Sequence, residues 1–344
     1  HLPLIIAFII LAAFTYTSGL RAPALIAVVK DALIFITIIA AIIIIPAKLG
    51  GYGAIFASVP PEKLLLTPPS GDSLGAYSAY ATLALGSALA LFLYPHSMTG
   101  ILSSSSGAVV KRNAAMLSAY SFVLGLIALL GYMALASGVD KNPDHAGGFA
   151  QYGPNYAVPA LFLDQFSSWF VGVAFAAIAI GALVPAAIMS IACANLFTRN
   201  LYKTFMRPDC SDADEARVAK IVSLVVKVGA VVFILALPQA YAIQLQLLGG
   251  IWIIQLLPAV LLGLYTKSFN APSLLAGWAA GTAIGTYMAA TQGFATSVYP
   301  LAIFGVTLPG YAALYSVVVN LLVVFALSPV FGALSRASAT EIAK

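Results

Sequence analysis

Apolar residues run almost unbroken through long stretches of this chain, and charged residues mark the gaps between them. Nine such stretches stand out, at approximately 1–17, 22–46, 79–102, 114–137, 161–201, 218–237, 241–265, 272–291 and 309–334. Most of them reach the roughly 20 residues that an α-helix needs to cross a hydrocarbon core. Backbone groups find no water there, so a spanning segment must be a helix or a strand of a closed barrel. Barrel strands alternate in polarity over about ten residues, and a stretch such as Ile34 to Ile45 does not alternate. The pattern therefore predicts helices. The fifth stretch is too long for one straight span, so part of it should lie at the surface or extend the helix.

The connecting segments give a topology. If the loop after the first helix is cytoplasmic and the sides alternate, the inner side holds Arg21, Lys111, Arg112, Arg199, Lys203, Arg207, Arg217, Lys220, Lys267, Arg336 and Lys344. The outer side holds only Lys48, Lys63 and Lys141, with Lys30 and Lys227 left in or near helices. Eleven against three is the bias expected when positive residues stay inside. Two outer loops are long, near 47–78 and 138–160, and rich in Pro, Gly and Tyr, as at Pro60-Pro61, Pro68-Pro69 and Gly153-Pro154. They are expected to form structured lids or short surface helices. On the inner side, Ser211-Asp212-Ala213-Asp214-Glu215 resembles a capping box that opens the sixth helix.

Composition agrees. Of 344 residues 62% are hydrophobic and only 8% charged, and mean hydropathy is +1.01. A soluble domain carries about 25% charged residues, so the reading is an all-α polytopic protein whose partner is the lipid bilayer. The net charge of +5 is scattered between helices, which favours topology over a nucleic-acid partner. No obligate protein partner is implied. Cys193 and Cys210 offer no disulfide framework and read as plain thiols. His1 opens directly into an apolar helix, without the basic region or cleavage site of a signal peptide. The expectation is a fragment whose N-terminal portion is missing.

Candidate chemistry is sparse. The chain has no HExxH, no Gly-rich phosphate loop, no Cys/His metal spacing and no GxSxG elbow, so no enzyme and no organic cofactor are expected. Transport calls instead for broken helices whose freed backbone lines a cavity. Phe92-Leu93-Tyr94-Pro95-His96-Ser97-Met98-Thr99-Gly100 offers one, because Pro95 removes a helical donor. Tyr94, His96, Ser97 and Thr99 are then candidates to face a substrate, and the alternative is a plain Pro kink with His96 capping a carbonyl. Small residues from Gly181 to Ser190, interrupted by Pro185, offer a cation the carbonyls of Ala186 and Ala187 and the Ser190 hydroxyl; close packing explains them equally well. Asp31, beside Lys30, could bind a cation or relay protons, or simply neutralise its neighbour. Gln244, Gln246 and Gln255 could line a pathway, with Gln255 a substrate candidate, or bond between helices. Gly277, Gly281 and Gly285 form a ridge that reads as packing.

Four motifs in order resemble the sodium:solute symporter family. Thr17-Ser18-Gly19-Leu20-Arg21-Ala22 resembles its Gly-Gly-Leu-Arg/Lys-Ala turn, and Pro95-His96 a Pro-His pair of its broken helix. Phe197-Thr198-Arg199-Asn200-Leu201-Tyr202-Lys203 is similar to the motif after its ion-binding helix. Pro258 to Tyr265, followed by Leu275-Ala276-Gly277, is similar to its late signature. Tyr94 through Leu130 most resembles the bacterial monocarboxylate permeases. The resemblance implies a leucine-transporter-type (LeuT-type) inverted-repeat fold, with about nine transmembrane helices present of thirteen. Residues 1–46 would end the first repeat, 79–265 form the second and 272–334 add accessory helices. Four absent N-terminal helices would leave the fragment unable to transport alone.

The implied function is secondary active symport of lactate, pyruvate or related short acids into a bacterium across its cytoplasmic membrane. Na+ would be the coupling ion, held by Ser190 with Ala186, Ala187 and Asp31. Two departures keep H+ as the alternative: Ser190 is followed by Ile191 rather than a second hydroxyl, and Ala27 stands where the family has an acid. Asp31 lies one helical turn later on the same face and could replace it. A channel, a passive sensor or an amino-acid permease are the rival readings.

Overall fold

Helices follow one another along nearly the whole chain in the computed structural model, which describes residues 2–64, 74–236, 242–303 and 305–342. The chain opens with α1 (Leu2–Ser18), α2 (Arg21–Lys48), α3 (Tyr52–Ser58) and α4 (Pro61–Leu64). Next come α5 (Leu74–Leu91), α6 (Pro95–Leu102), α7 (Gly107–Ser137), α8 (Ala146–Tyr152) and α9 (Ala157–Gln165). α10 (Ser168–Phe197) runs on into nine residues of π-helix, Thr198–Met206. α11 (Asp212–Ala236), α12 (Ala242–Ile253), α13 (Leu257–Tyr265) and α14 (Ala271–Thr291) follow. An antiparallel hairpin, β1 (Val298–Ile303) and β2 (Val306–Tyr311), leads into α15 (Ala312–Ile342).

Each of the nine apolar stretches is mainly helical among the described residues; the last begins with three residues of β2. Among the described residues, six helices are long and apolar enough to cross a membrane, or seven if the bent pair α5–α6 is one span. The remaining two are α1, whose apolar part Ile5–Ser18 is shorter, and α14, where Gly, Ser and Thr replace larger apolar residues. Large apolar side chains such as Val28, Phe122 and Leu264 stand about 70% or more exposed, which a lipid solvent accepts and water would not. The protein is an integral, multi-pass membrane protein. The over-long fifth stretch resolves as expected: α9 ends at an extended Phe166, α10 spans, and the π-helix prolongs it.

The chain divides into two compact units, His1–Leu64 with Thr99–Ala240, and Leu65–Met98 with Tyr241–Lys344. In the first, Ala41 and Ile45 of α2, Leu130 and Met133 of α7, Leu161 and Phe162 of α9 and Ala174 of α10 build one buried cluster. The long 138–160 segment caps it with short helices, as its composition suggested. Gly138 ends α7 in the left-handed region, φ 67°, where a residue without Cβ is favoured. Buried His145 then places Nε2 at 2.8 Å from Asp164 Oδ1, tying the start of the cap to its end. α3 and α4 supply the surface helices of the 47–78 loop; Pro68 and Pro69 lie outside the described residues. Ser211 accepts from the Asp214 amide at 3.1 Å and donates to the Asp214 carboxylate at 2.9 Å, giving α11 its expected cap.

The second unit is built on contact between α14 and α15. Gly277, Gly281 and Gly285 are buried along one face of α14. A methyl group at Gly277 would run into Val324 and Asn320, at Gly281 into Gln255 and Asn320, and at Gly285 into Ile251 and Ser316. The hairpin was not expected, although Val298, Tyr299, Ile303, Val306 and Thr307 suit strands. Tyr311 anchors it: its amide donates to Thr82 Oγ1 at 2.9 Å and its hydroxyl to the Leu247 carbonyl at 2.6 Å.

Gly281→Ala should therefore lower the thermal unfolding midpoint of the purified protein, by about 1–3 kcal/mol of overpacking. Gly172→Ala in α10, where nothing lies within 4 Å of an added Cβ, should leave it unchanged. Equal midpoints for the two variants would refute the close-packed ridge.

Candidate functional site

The break between α5 and α6 begins with chain chemistry. The Leu93 amide turns back to the Ala90 carbonyl at 3.0 Å and ends α5. Pro95 then starts α6, the position where a missing N–H costs least and the fixed φ already suits a helix. The two segments meet at 42°. The Met98 amide closes the first turn on the Tyr94 carbonyl at 3.1 Å, so the amides of His96 and Ser97 have no intrahelical acceptor. Tyr94, His96 and Ser97 are all half-buried here. The Tyr94 and His96 rings lie 5.6 Å apart, the Tyr94 hydroxyl donates to the Gln246 carbonyl at 3.3 Å, and His96 Nδ1 is buried with no hydrogen-bond partner. The break thus presents a positive helix end, an unfilled imidazole nitrogen and the Ser97 hydroxyl. Such a group of donors suits an anion.

Thr99, further along α6, faces a cleft of about 760 Å³ with Ser103, Asn195, Thr198, Arg199 and Glu215 on its walls. Gln255 has a different setting. It is fully buried, and its amide donates to the Ile251 carbonyl at 2.9 Å and to Ser316 Oγ at 2.8 Å. Asn320 donates to its Oε1 at 3.2 Å and to its carbonyl at 2.9 Å. One amide hydrogen is spent on the preceding turn of its own span and the other on Ser316 of α15, which with the Asn320 bonds gives the interhelical role that the sequence left open.

The cation candidates lie on α10 and α2. α10 continues through Pro185, which removes the amide that would meet the Gly181 carbonyl. Ser190 is buried and donates to the Ala187 carbonyl at 2.7 Å, so two proposed ligands meet but already bond to each other. Ala186 is half-buried beside them. Behind Ser190 stands a residue that the sequence reading left unassigned. Lys227 Nζ donates to Ser223 Oγ at 2.6 Å, and Ser223 Oγ donates to Ser190 Oγ at 3.4 Å. On α2, Lys30 Nζ lies 2.5 Å from Asp31 Oδ1, the self-neutralising pair that was one of its two readings.

Two further features escaped the sequence. Thr198 is fully buried with its hydroxyl unpartnered, at the first position of the π-helix. Glu215 then holds that helix: Oε1 accepts from Arg199 Nε at 2.9 Å and Oε2 from Lys203 Nζ at 2.7 Å. The Phe197–Lys203 motif and the acid-rich start of α11 were both visible; their pairing needed the fold.

Comparison with known proteins now bears on these residues. The model of the sodium:solute symporter family matches residues 1–281. A Rhizobium johnstonii protein named monocarboxylate transport permease is 57% identical over 291 residues, covering 84% of this chain and 57% of that protein. The uncharacterized symporter YodF of Bacillus subtilis is 29% identical over 330 residues, covering 95% of this chain and 61% of its own. A substrate-bound, outward-open structure of a Na+-coupled sialic acid symporter shares the fold, with a TM-score of 0.68, 15% identity, and coverage of 94% of this chain and 65% of that one. The chain spans about three fifths of the length of the curated relatives it matches.

Glu215→Gln should free Arg199 and Lys203 and loosen the π-helix. Limited trypsin digestion should then cut after Lys203 or Arg207 several-fold faster than in the unsubstituted protein. An unchanged cutting rate would mean that Glu215 does not hold this turn.

Proposed function

The chain belongs to the sodium:solute symporter family, and on that premise we propose that it forms much of a secondary active symporter. The transporter takes small monocarboxylates such as lactate or pyruvate into a bacterial cell across the cytoplasmic membrane, driven by a Na+ gradient. The observation that carries the reading is the broken helix at Pro95, whose donors suit a carboxylate, in a chain 57% identical over 291 residues to a protein named monocarboxylate transport permease. Tyr94, His96, Ser97 and Thr99 bind or gate the substrate. Gln255 supports the pathway from within its polar network. Ser190 with the carbonyls of Ala186 and Ala187 holds the cation, and Asp31 contributes charge on α2.

Each assignment has a physical motive. The carboxylate of the substrate replaces the missing acceptors of the first turn of α6, and the free His96 nitrogen orients it. Hard oxygen ligands such as hydroxyls and carbonyls suit Na+. Residues 1–46 close a first inverted repeat, 79–265 form a second, and 272–334 are accessory. Alternating access then couples two binding events with no bond change.

In vesicles holding the intact transporter, labelled pyruvate or lactate should accumulate under an inward Na+ gradient. Accumulation under a proton gradient alone would transfer coupling to Asp31 and His96, and none under either gradient would remove the substrate assignment. His96→Ala should lower initial uptake at least tenfold at matched expression. Gly172→Ala, with open space around it, is the control that should retain uptake; equal rates in the two would end the role given to His96. Gly281 would be a poor control, because its substitution disturbs packing.

A further inference from the structure

One cavity belongs to none of the residues assigned above. It encloses about 210 Å³, with Thr15 and Tyr16 of α1, Asn195 of α10, and Lys220, Ser223 and Lys227 of α11 on its walls. Positions 220, 223 and 227 recur at helical spacing, so one stripe of α11 faces it. Lys220 stands at the exposed end with Nζ 5.2 Å from the centre of the Tyr16 ring. Lys227 lies seven residues further along, about 10 Å deeper by helical rise, and is only 4% exposed.

The charge balance there is unusual. The cavity is lined by two lysines and by no Asp or Glu. Among the described residues the ion pairs are Lys30–Asp31, His145–Asp164, Arg199–Glu215 and Lys203–Glu215, and none includes Lys227. Burying an ammonium without a counter-charge is costly, and an ionisable residue inside a span marks a functional site by default. Lys227 has three N–H donors. Two go to Ser223, at 2.6 Å to its hydroxyl and 3.4 Å to its carbonyl, which leaves one for a ligand.

We propose that this cavity binds the carboxylate of a small organic acid, with Lys227 as the charge that receives it. The two lysines favour an anion over a cation in this cavity. The size fits: the space is large enough to hold several water-sized groups, and so a three-carbon acid. The Asn195 amide can donate to the second carboxylate oxygen. Asn195, Ala216 and Ala219 also line the 760 Å³ cleft that Thr99 faces, so the two cavities adjoin and the wider one gives access. The site contains none of Tyr94, His96 or Ser97. It is therefore a second anion site, built from residues other than those at the break. The choice of a short carboxylate rests on the monocarboxylate reading; the anion site itself rests on Lys227.

The test is equilibrium binding of labelled pyruvate to the purified intact transporter. The unsubstituted protein should bind two pyruvates, and Lys227→Met should lose one or bind it at least tenfold more weakly. Lys227→Arg should retain the second site in part. Ala219→Phe, which fills the cavity while leaving Lys227 in place, should also lose it, so a folding defect in one variant does not decide the matter. Identical stoichiometry and affinity in the unsubstituted protein, Lys227→Met and Ala219→Phe would overturn the proposal. Displacement by an anionic phospholipid, with none by lactate or acetate, would assign Lys227 to a lipid headgroup and also overturn it. The two readings fail separately. A Lys227-dependent site without uptake removes the transported substrate and keeps the anion site; uptake with binding indifferent to Lys227 does the reverse.

Discussion

Every polar group inside a hydrocarbon slab must find its partner within the protein, and this constraint governs each irregular feature of the chain. Regular helices meet it without help. Departures from the helix are tolerated only where something else receives the freed groups. At Pro95 the deficit is placed where a helix begins, so the unused donors point together instead of being scattered. On α10 and α11 the same demand produces a directed series, from the Lys227 ammonium through Ser223 and Ser190 to the Ala187 carbonyl. Around Gln255 it produces a knot with Ser316 and Asn320 that leaves only an acceptor, Asn320 Oδ1, without a partner. The first two arrangements retain unfilled capacity, whereas the amide hydrogens of the third are all used. That difference separates arrangements with donors to spare from one whose donors are all engaged.

Much of this was legible in the residues. Proline and glycine announce themselves because their backbone chemistry acts locally: Pro95 foretold the break, and Gly277, Gly281 and Gly285 foretold a close helix contact. Ser211 and Asp214 likewise foretold a cap, since both partners sit within one turn. The helices of the outer cap followed from its Pro, Gly and Tyr content, though the His145–Asp164 contact inside it did not.

What escaped depends on partners distant in sequence. The hairpin of 298–311 was hidden because a strand of Val, Tyr and Ile reads as apolar as a helix does. The π-helix has no signature of its own; Glu215, from the following helix, grips Arg199 and Lys203 along it. Lys227 was visible and was set aside as a matter of topology, and Ser223, four residues before it, was the neglected sign that it is housed rather than merely positioned. Gln255 had two readings of equal weight, and only the location of Ser316 and Asn320 favoured one.

The glycine ridge also has a mechanical side. At Gly277, Gly281 and Gly285 neighbouring side chains rest directly on the α14 backbone, which leaves them little room to slide, tilt or change rotamer. Packing this close favours α14 and α15 moving as one piece, with bending at the segments that join them to the chain, such as 266–270. Whatever motion a working cycle imposes on this part of the molecule, the pair transmits it without absorbing it.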